Sequence, residues 1–298
     1  MSQSLLPRRL SGALRRVSGL RPRFGAYRQQ IGEISASVTG ILRALSAIPS
    51  PPPTDSIRIV HVSDIHNNPM AYDAIKAIVE QSGADAVIDT GDIGDWGRSF
   101  ESATFARIAR IPVPYLFLKG NHDGPRTLIE LAKISSVRVI DDAIPVDIRG
   151  LRLIGLRDPR FTPDKSTGDD HYAKEKLRTL GTQFATTVKA AEADVALVHD
   201  PIIGAQLAGV VPLVLAGHTH VRAERAREGT LFLTQGSSGG AGLRGVRQEP
   251  PQDLTITTLY FDAQSRRLSA VDEYTIGGIS LRTVTLQRRD AAELAKRP

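Results

Sequence analysis

The chain has 298 residues, no cysteine and a formal charge of +6 at pH 7. Without thiols there can be no disulfide, cysteine-bound zinc, iron–sulfur cluster or thiolate nucleophile, so any metal must be held by His, Asp, Glu or Asn. Seven arginines and no acid lie in residues 1–30, so the rest of the chain is nearly neutral, which argues against a duplex nucleic-acid enzyme with a basic working surface.

An apolar fraction of 41% is enough to bury a sizeable core. No stretch reaches the ~18 continuous apolar residues of a membrane span. The N-terminus also lacks the apolar core of a secretory signal. Its acid-free, arginine-rich character has some likeness to an organellar transit peptide, and Arg8-Arg9 is a twin arginine with no apolar run behind it. Ile31, Ile34, Val38, Ile41, Leu42, Leu45 and Ile48 recur at helical spacing. Pro49, Pro51, Pro52 and Pro53 then end that helix and make a stiff linker. Residues 1–56 are therefore expected as a basic amphipathic arm. It either packs on its own domain or lies on an anionic membrane surface through residues 1–48. The expected place of the protein is cytoplasmic or at the membrane periphery.

The domain itself is expected over 57–289, with a tail at 290–298. Ile57–Val62, Ala84–Asp89 and Tyr115–Leu118 read as buried strands. Met70–Ser82, Phe100–Ala109 and Arg126–Ile134 read as the helices between them. Short strands follow at Val137–Ile140, Ile144–Asp147 and Leu151–Leu156, then a helix over Ala173–Ala191. The strands Val195–Val198, Leu213–Ala216, Leu231–Thr234, Leu254–Phe261, Arg267–Ile276 and Leu281–Leu286 complete the pattern. An opening βαβαβα followed mostly by strands predicts an α/β fold: two mixed β-sheets packed face to face with flanking helices. Two long loops, Arg157–Tyr172 and Gly236–Gln252, interrupt it. The second carries Arg244 and Arg247, either phosphate binders or solvated surface charge.

Five short motifs each follow one of these strands. They are Asp64-x-His66, Gly91-Asp92-x-x-Asp95, Gly120-Asn121-His122-Asp123, Val198-His199 and Gly217-His218-Thr219-His220. Open α/β sheets bind ligands at the carboxyl ends of their strands. Each motif alone has a plain reading. Asp92 and Asn121 suit turns after glycine, and His199 suits a satisfied core histidine. Together, in order and each after a strand, they point to a metal centre. His61 and His171 fit no motif and read as a strand residue and loop surface. If the strand ends stay extended, residues two apart share one side, so Asp64 and His66 would grip one ion.

With these motifs, the chain from about Ile57 to Leu286 resembles the calcineurin-like metallophosphoesterases. Val62-Ser63-Asp64-Ile65-His66 looks most like their bacterial membrane-associated branch. The resemblance implies the family's αββα fold and two divalent ions such as Mn, Fe or Zn, ~3.5–4 Å apart. Asp64, His66, Asp92 and His220 would hold the first ion, and Asp92, Asn121, His199 and His218 the second, with Asp92 shared. It further implies hydrolysis of a phosphoester by a hydroxide bridging the two ions. His122 would be the general acid, its imidazole held by Asp95. Asp123 is a second candidate for that holding role, or else a cap for the following helix. Protein phosphatases of the family carry arginine after the aspartate matching Asp95. Here it is Trp96, which turns the expectation away from phosphoproteins. A phosphorylated small molecule or lipid is expected instead: a phosphodiester or a lipid-linked pyrophosphate. The alternatives are a nuclease and a non-catalytic binding module on the same scaffold. Missing ligands would mark the module, and none is missing.

Overall fold

The computed structural model describes residues 55–97, 101–140, 142–163, 174–240, 242, 252–277 and 284–296. The arm helix and proline linker, His171, Arg244, Arg247 and the start of the expected strand at Leu281 lie outside these residues. Two mixed sheets are present, as the element pattern predicts. The first has the order β13-β12-β11-β1-β2-β3-β4 and the second β5-β6-β7-β8-β10-β9. In the first, β1 (Ser56–Val62), β2 (Ala86–Asp89), β3 (Tyr115–Phe117) and β4 (Val137–Val139) run parallel. Antiparallel β11 (Leu254–Asp262), β12 (Leu268–Ile276) and β13 (Val284–Asp290) extend it. In the second, β6 (Leu151–Leu156), β7 (Val195–Val198), β8 (Leu213–Ala216) and β10 (Thr230–Thr234) are parallel. The antiparallel edges are β5 (Val146–Ile148) and β9 (Ala223–Arg227).

Strand alternation divides the core into layers. Ile57 and Ile59 of β1 join Ile88, Leu116, Leu197 and Leu215 in one buried cluster containing side chains of both sheets. Val60 and Val62 point the other way and pack with Ile75 and Ile78 of helix α1 (Pro69–Ser82). A third cluster joins the second sheet to α4 (Lys174–Ala190) through Ile154, Val198, Leu177 and Phe184. Pro69 in its first turn and the Asn68 side chain, which accepts from the Met70 amide at 3.0 Å, start α1. Gly83, with φ +62°, ends it. The remaining helices are short: α2 (Ser102–Phe105), α3 (Pro125–Leu131), α5 (Pro201–Gly204) and α6 (Ala291–Leu294).

The sequence reading differs in four places. The helix expected over Phe100–Ala109 is one turn of α2 followed by a 3₁₀ segment, Ala106–Arg110. α5 follows directly from Pro201 after the Asp200 cap, and no apolar period announces so short a helix. Strand β9 was not expected. It reads AERAR, lies half exposed at an edge, and owes its existence to the β10 ladder. Residues 290–296, expected as a tail, form the end of β13 and α6, whose Leu294 is fully buried. Among the described residues no helix is long and apolar enough to cross a membrane.

His61 shares the alternation of Ile57 and Ile59 and is completely buried, with Nε2 3.1 Å from Thr90 Oγ1. Burial first, then the nearby positive charge of Arg222, pulls its pKa from the ordinary 6.5 to about 3, with Asp64 opposing. Between those two values the unfolded chain binds a proton that the folded chain refuses. Stability therefore falls as pH drops from about 6.5 toward 3. His61→Gln should flatten this slope by up to ~1.4 kcal/mol per pH unit. Urea unfolding of both proteins in chelator at pH 5 and pH 7 measures it; equal slopes would contradict the assignment.

Candidate metal centre

All five motifs, and two further loops, leave the carboxyl ends of parallel strands: β1, β2, β3, β6, β7, β8 and β10. Hydrogen bonds between the loops draw the two sheets' ends together. The Asp64 amide donates to Gly91 O at 2.8 Å, the His66 amide to Asp92 O at 3.1 Å, and the Gly217 amide to His199 O at 2.9 Å. Across the sandwich, the Ser238 amide donates to Ser63 O at 2.8 Å and the His218 amide to Asp64 Oδ2 at 2.9 Å.

The candidate ligands gather into two groups. Asp64, His66 and His220 form one; Asp92, His199 and His218 form the other. Within each, the ligand atoms lie within 4.8 Å of one another. His220 Nε2 is 2.9 Å from His66 Nε2 and 3.3 Å from Asp64 Oδ1. His199 Nε2 is 3.2 Å from Asp92 Oδ2 and 3.0 Å from Asn121 Oδ1. Thus Asn121 joins the second group, and His218 and His220, two residues apart, go to different groups. Asp92 sits in the second.

One expectation about backbone shape fails. Asp64, His66, Asp92, His218 and His220 do not continue extended strands. Their φ angles are +54°, +48°, +59°, +73° and +58°. This left-handed region costs a non-glycine residue free energy and persists only where neighbours over-determine it. Here the neighbours are the loop-to-loop hydrogen bonds. Gly120 is part of that packing: a Cβ there would stand 2.3 Å from Asp92 Oδ1.

A second layer fixes the rings. His199 Nδ1 must donate to the Thr90 carbonyl at 2.7 Å, which turns Nε2 toward Asp92. The carboxylate of Asp95 accepts from His66 Nδ1 at 3.0 Å, so Nε2 faces Asp64 and His220. The expected contact of Asp95 with the His122 ring is made through its backbone. It is the Asp95 carbonyl that lies 3.3 Å from His122 Nδ1. The reason is local. Asn67 Nδ2 holds the other Asp95 oxygen at 3.2 Å, and buried Glu101 accepts from the amides of Asp95 and Trp96 and from Asn67. Asp123 is neither a helix cap nor the holder of the His122 ring. Its carboxylate accepts the amides of Asp92 at 2.7 Å, Gly120 at 2.9 Å and Gly94 at 3.3 Å, pinning two motif loops together. Burial, then the charge of Asp92, raises its pKa to about 6.

Sequence reasoning missed Asn67, Glu101, Lys119, Asp158, Arg160 and Asp200. Arg160 is buried and donates to Asp158 and to Asp200 Oδ2, at 2.7 Å in each case. Asp200 Oδ2 is in turn 3.6 Å from His218 Nε2. Lys119 Nζ donates to the carbonyls of Gly120, Asp158 and Arg160. Only Asp200 carried a sequence signal, as a cap beside Pro201.

These residues fit divalent metal. Asp64 Oδ1 is buried, and His220 Nε2 approaches it at 3.3 Å. The facing Nε2 atoms of His66 and His220 need a proton or a cation between them. Burial opposes charge on Asp92, yet positive His199 wins and holds the carboxyl well below its usual range. The same pairing drives His199 well above the usual histidine range. Cations would replace those protons.

The model of the calcineurin-like phosphoesterase family matches residues 57–222, more than half of the chain. The chain belongs to the calcineurin-like phosphoesterase family. It is accordingly a metal-dependent phosphoester hydrolase. No curated protein matches the chain significantly. Among solved structures, an archaeal phosphodiesterase is 17% identical, covering 74% of this chain and 99% of its own, with a TM-score of 0.42. TT1561 of Thermus thermophilus is 15% identical over 75% of this chain and 99% of its own, TM-score 0.47. Zinc-complexed Vps29 from Entamoeba histolytica is 15% identical over 78% and 99%, TM-score 0.41. The family match, and not these likenesses, carries the assignment.

Gly239 offers a direct test of how the loops hold the first group. A Cβ there would stand 1.8 Å from the Ile65 carbonyl oxygen, midway between Asp64 and His66. Gly239→Ala should lower metal content measured by plasma mass spectrometry, with the Asp64–His66–His220 group emptied first, and should reduce turnover in parallel. Full metal loading in a folded variant would show that the loop does not set this geometry.

Proposed function

We propose that this hydrolase acts on a phosphodiester or a lipid-linked pyrophosphate, with two divalent ions as cofactors. The observation that carries the reading is the pairing of two ligand groups with a histidine outside both. The His122 ring lies 5.4 Å from that of His66, centroid to centroid. Its Nδ1 faces the Asp95 carbonyl, a pure acceptor, so Nε2 is the nitrogen for chemistry. Asp64, His66 and His220 would hold one ion. Asn121, His199 and His218 would hold the other, with Asp92 shared between them. Such ions, when bound, acidify water and stabilise negative charge on phosphoryl oxygens.

His122 acts at the departing oxygen. An oxygen from water adds to phosphorus, the bond from phosphorus to the leaving oxygen breaks, and that oxygen keeps the electron pair. The Nε2 proton of His122 then neutralises it. Asp95 contributes on both sides, orienting His66 with its carboxylate and His122 with its carbonyl. Trp96, where phosphoprotein phosphatases carry arginine, favours substrates other than phosphoproteins. The nearly neutral domain disfavours duplex nucleic acid. The arginine-rich residues 1–48 support contact with an anionic membrane, each basic residue contributing ~1 kcal/mol near the surface.

Metal-dependent turnover of bis(p-nitrophenyl) phosphate above that of p-nitrophenyl phosphate, with and without Mn²⁺, is the expected result; preference for the monoester would redirect the reading. Asp92→Asn should lose metal and activity together. His122→Ala should keep its metal and lose ~10²–10⁴-fold in rate on an alkyl ester. The loss should be far smaller on a nitrophenyl ester, whose leaving group needs little protonation. Equal losses on both would remove the general-acid role. Deleting residues 1–50 should abolish binding to anionic vesicles while soluble-ester hydrolysis persists; retained vesicle binding would exclude the arm as the membrane contact.

A further inference from the structure

Among the described residues five large apolar side chains are exposed, and two of them come from loops adjoining the one that carries His122. The chain's one tryptophan, Trp96, is 39% exposed, and Phe161 is 45% exposed. Trp96 follows Asp95, whose carbonyl faces His122. Phe161 comes from the loop after β6, yet its ring lies against two glycines of the site. A Cβ on Gly97, next to Trp96, would come within 3.1 Å of that ring. A Cβ on Gly124, two residues after His122, would come within 2.9 Å.

Phe161 is not a loose surface residue. On one side, Arg160 is buried and bonded to Asp158 and Asp200. On the other, the Thr162 amide donates to Asn121 O at 2.8 Å, and Asn121 Nδ2 donates to Thr162 Oγ1 at 2.6 Å. The backbone of Trp96 is likewise held by Glu101. Buried charged residues thus fix the backbone around two half-exposed aromatic residues on loops adjoining the one that carries His122. A rigid, exposed aromatic surface next to a polar reaction centre contributes binding energy when an apolar group covers it.

We propose that Trp96 and Phe161 form the leaving-group subsite, and that the alcohol released by this enzyme carries a bulky apolar group, an extended alkyl chain or a flat ring. The inference rests on the diesterase reading and on His122 as the acid. The proton donor marks the side from which the alcohol departs. Trp96 directly follows the residue whose carbonyl faces His122, and the Phe161 ring lies against Gly124, two residues after His122. A subsite of this kind discriminates by the apolar area it covers, at about tenfold or more for a well-fitted group.

The test uses the full-length, metal-loaded protein and three methyl phosphodiesters of phenols of similar acidity, so that only the apolar group differs: p-nitrophenyl methyl phosphate as the small reference, 4-methylumbelliferyl methyl phosphate as the flat leaving group, and 2-dodecyl-4-nitrophenyl methyl phosphate as the chain. The wild type should favour one of the two larger esters over the reference in kcat/KM, and which one tells a ring from a chain. Trp96→Ala and Phe161→Leu should each reduce that preference by about tenfold, mainly through KM. An unchanged preference in both variants, or a loss equal for all three esters, overturns the subsite. Should p-nitrophenyl methyl phosphate itself show no metal-dependent turnover, the diesterase reading falls first and the subsite with it. Phe161→Leu keeps an apolar side chain against Gly97 and Gly124, and unaltered circular dichroism and metal content separate lost selectivity from lost fold.

Discussion

Two carboxylates, Asp64 and Asp92, are completely buried at the ends of adjacent parallel strands. An ionised carboxylate without a partner in such a place would cost several kcal/mol. The surroundings answer that charge. Histidines from four separate loops converge on it, backbone amides of His122 and His218 donate to it, and positive charge is favoured on the rings of His66 and His199. The arrangement is unfavourable to build for its own sake and becomes favourable when cations occupy it. Metal binding and the folding of these loops are therefore one coupled process.

The same coupling accounts for the strain. Five of the ligand residues adopt left-handed backbone conformations that extended strand ends would have avoided. Asp123, buried and bonded to three amides, holds the Gly91–Asp95 and Gly120–Asp123 loops in one piece. Ser237 and Ser238 do the same for the first motif, bonding Asp64 O and the Ser63 amide. These residues bond backbone groups of the motif loops and so decide where the candidate ligand atoms stand.

Proton positions follow from acceptors that cannot donate. The Thr90 carbonyl fixes His199, the Asp95 carboxylate orients His66, and the Asp95 carbonyl faces His122. Each of the three rings thereby has its Nδ1 occupied, and the Nε2 atoms of His66 and His199 turn toward the two candidate ligand groups. One aspartate, supported by Asn67 and Glu101, orients two of these rings, His66 and His122. The residue that follows this aspartate, Trp96, is half exposed.

The sequence by itself determined the layered α/β architecture and named the candidate ligands that the structure gathers into two groups. Apolar runs such as Ile57–Val62 and Val195–Val198 announce buried strands, and a polar motif straight after each marks the ligand end of the sheet. That information is local, carried within a few residues of each strand. Tertiary structure alone decided the edge strand β9, which has no apolar period and exists through its ladder with β10. It also decided the turn of Asp95 toward His66, the use of Asp123 as a loop pin, the clamp of Arg160 on Asp200, and the placing of Phe161 against Gly97 and Gly124. Each of these joins residues far apart in the chain, whose identities carry no mutual signal. Their roles come from hydrogen bonds and packing that exist only once the carboxyl ends of seven parallel strands have been brought together.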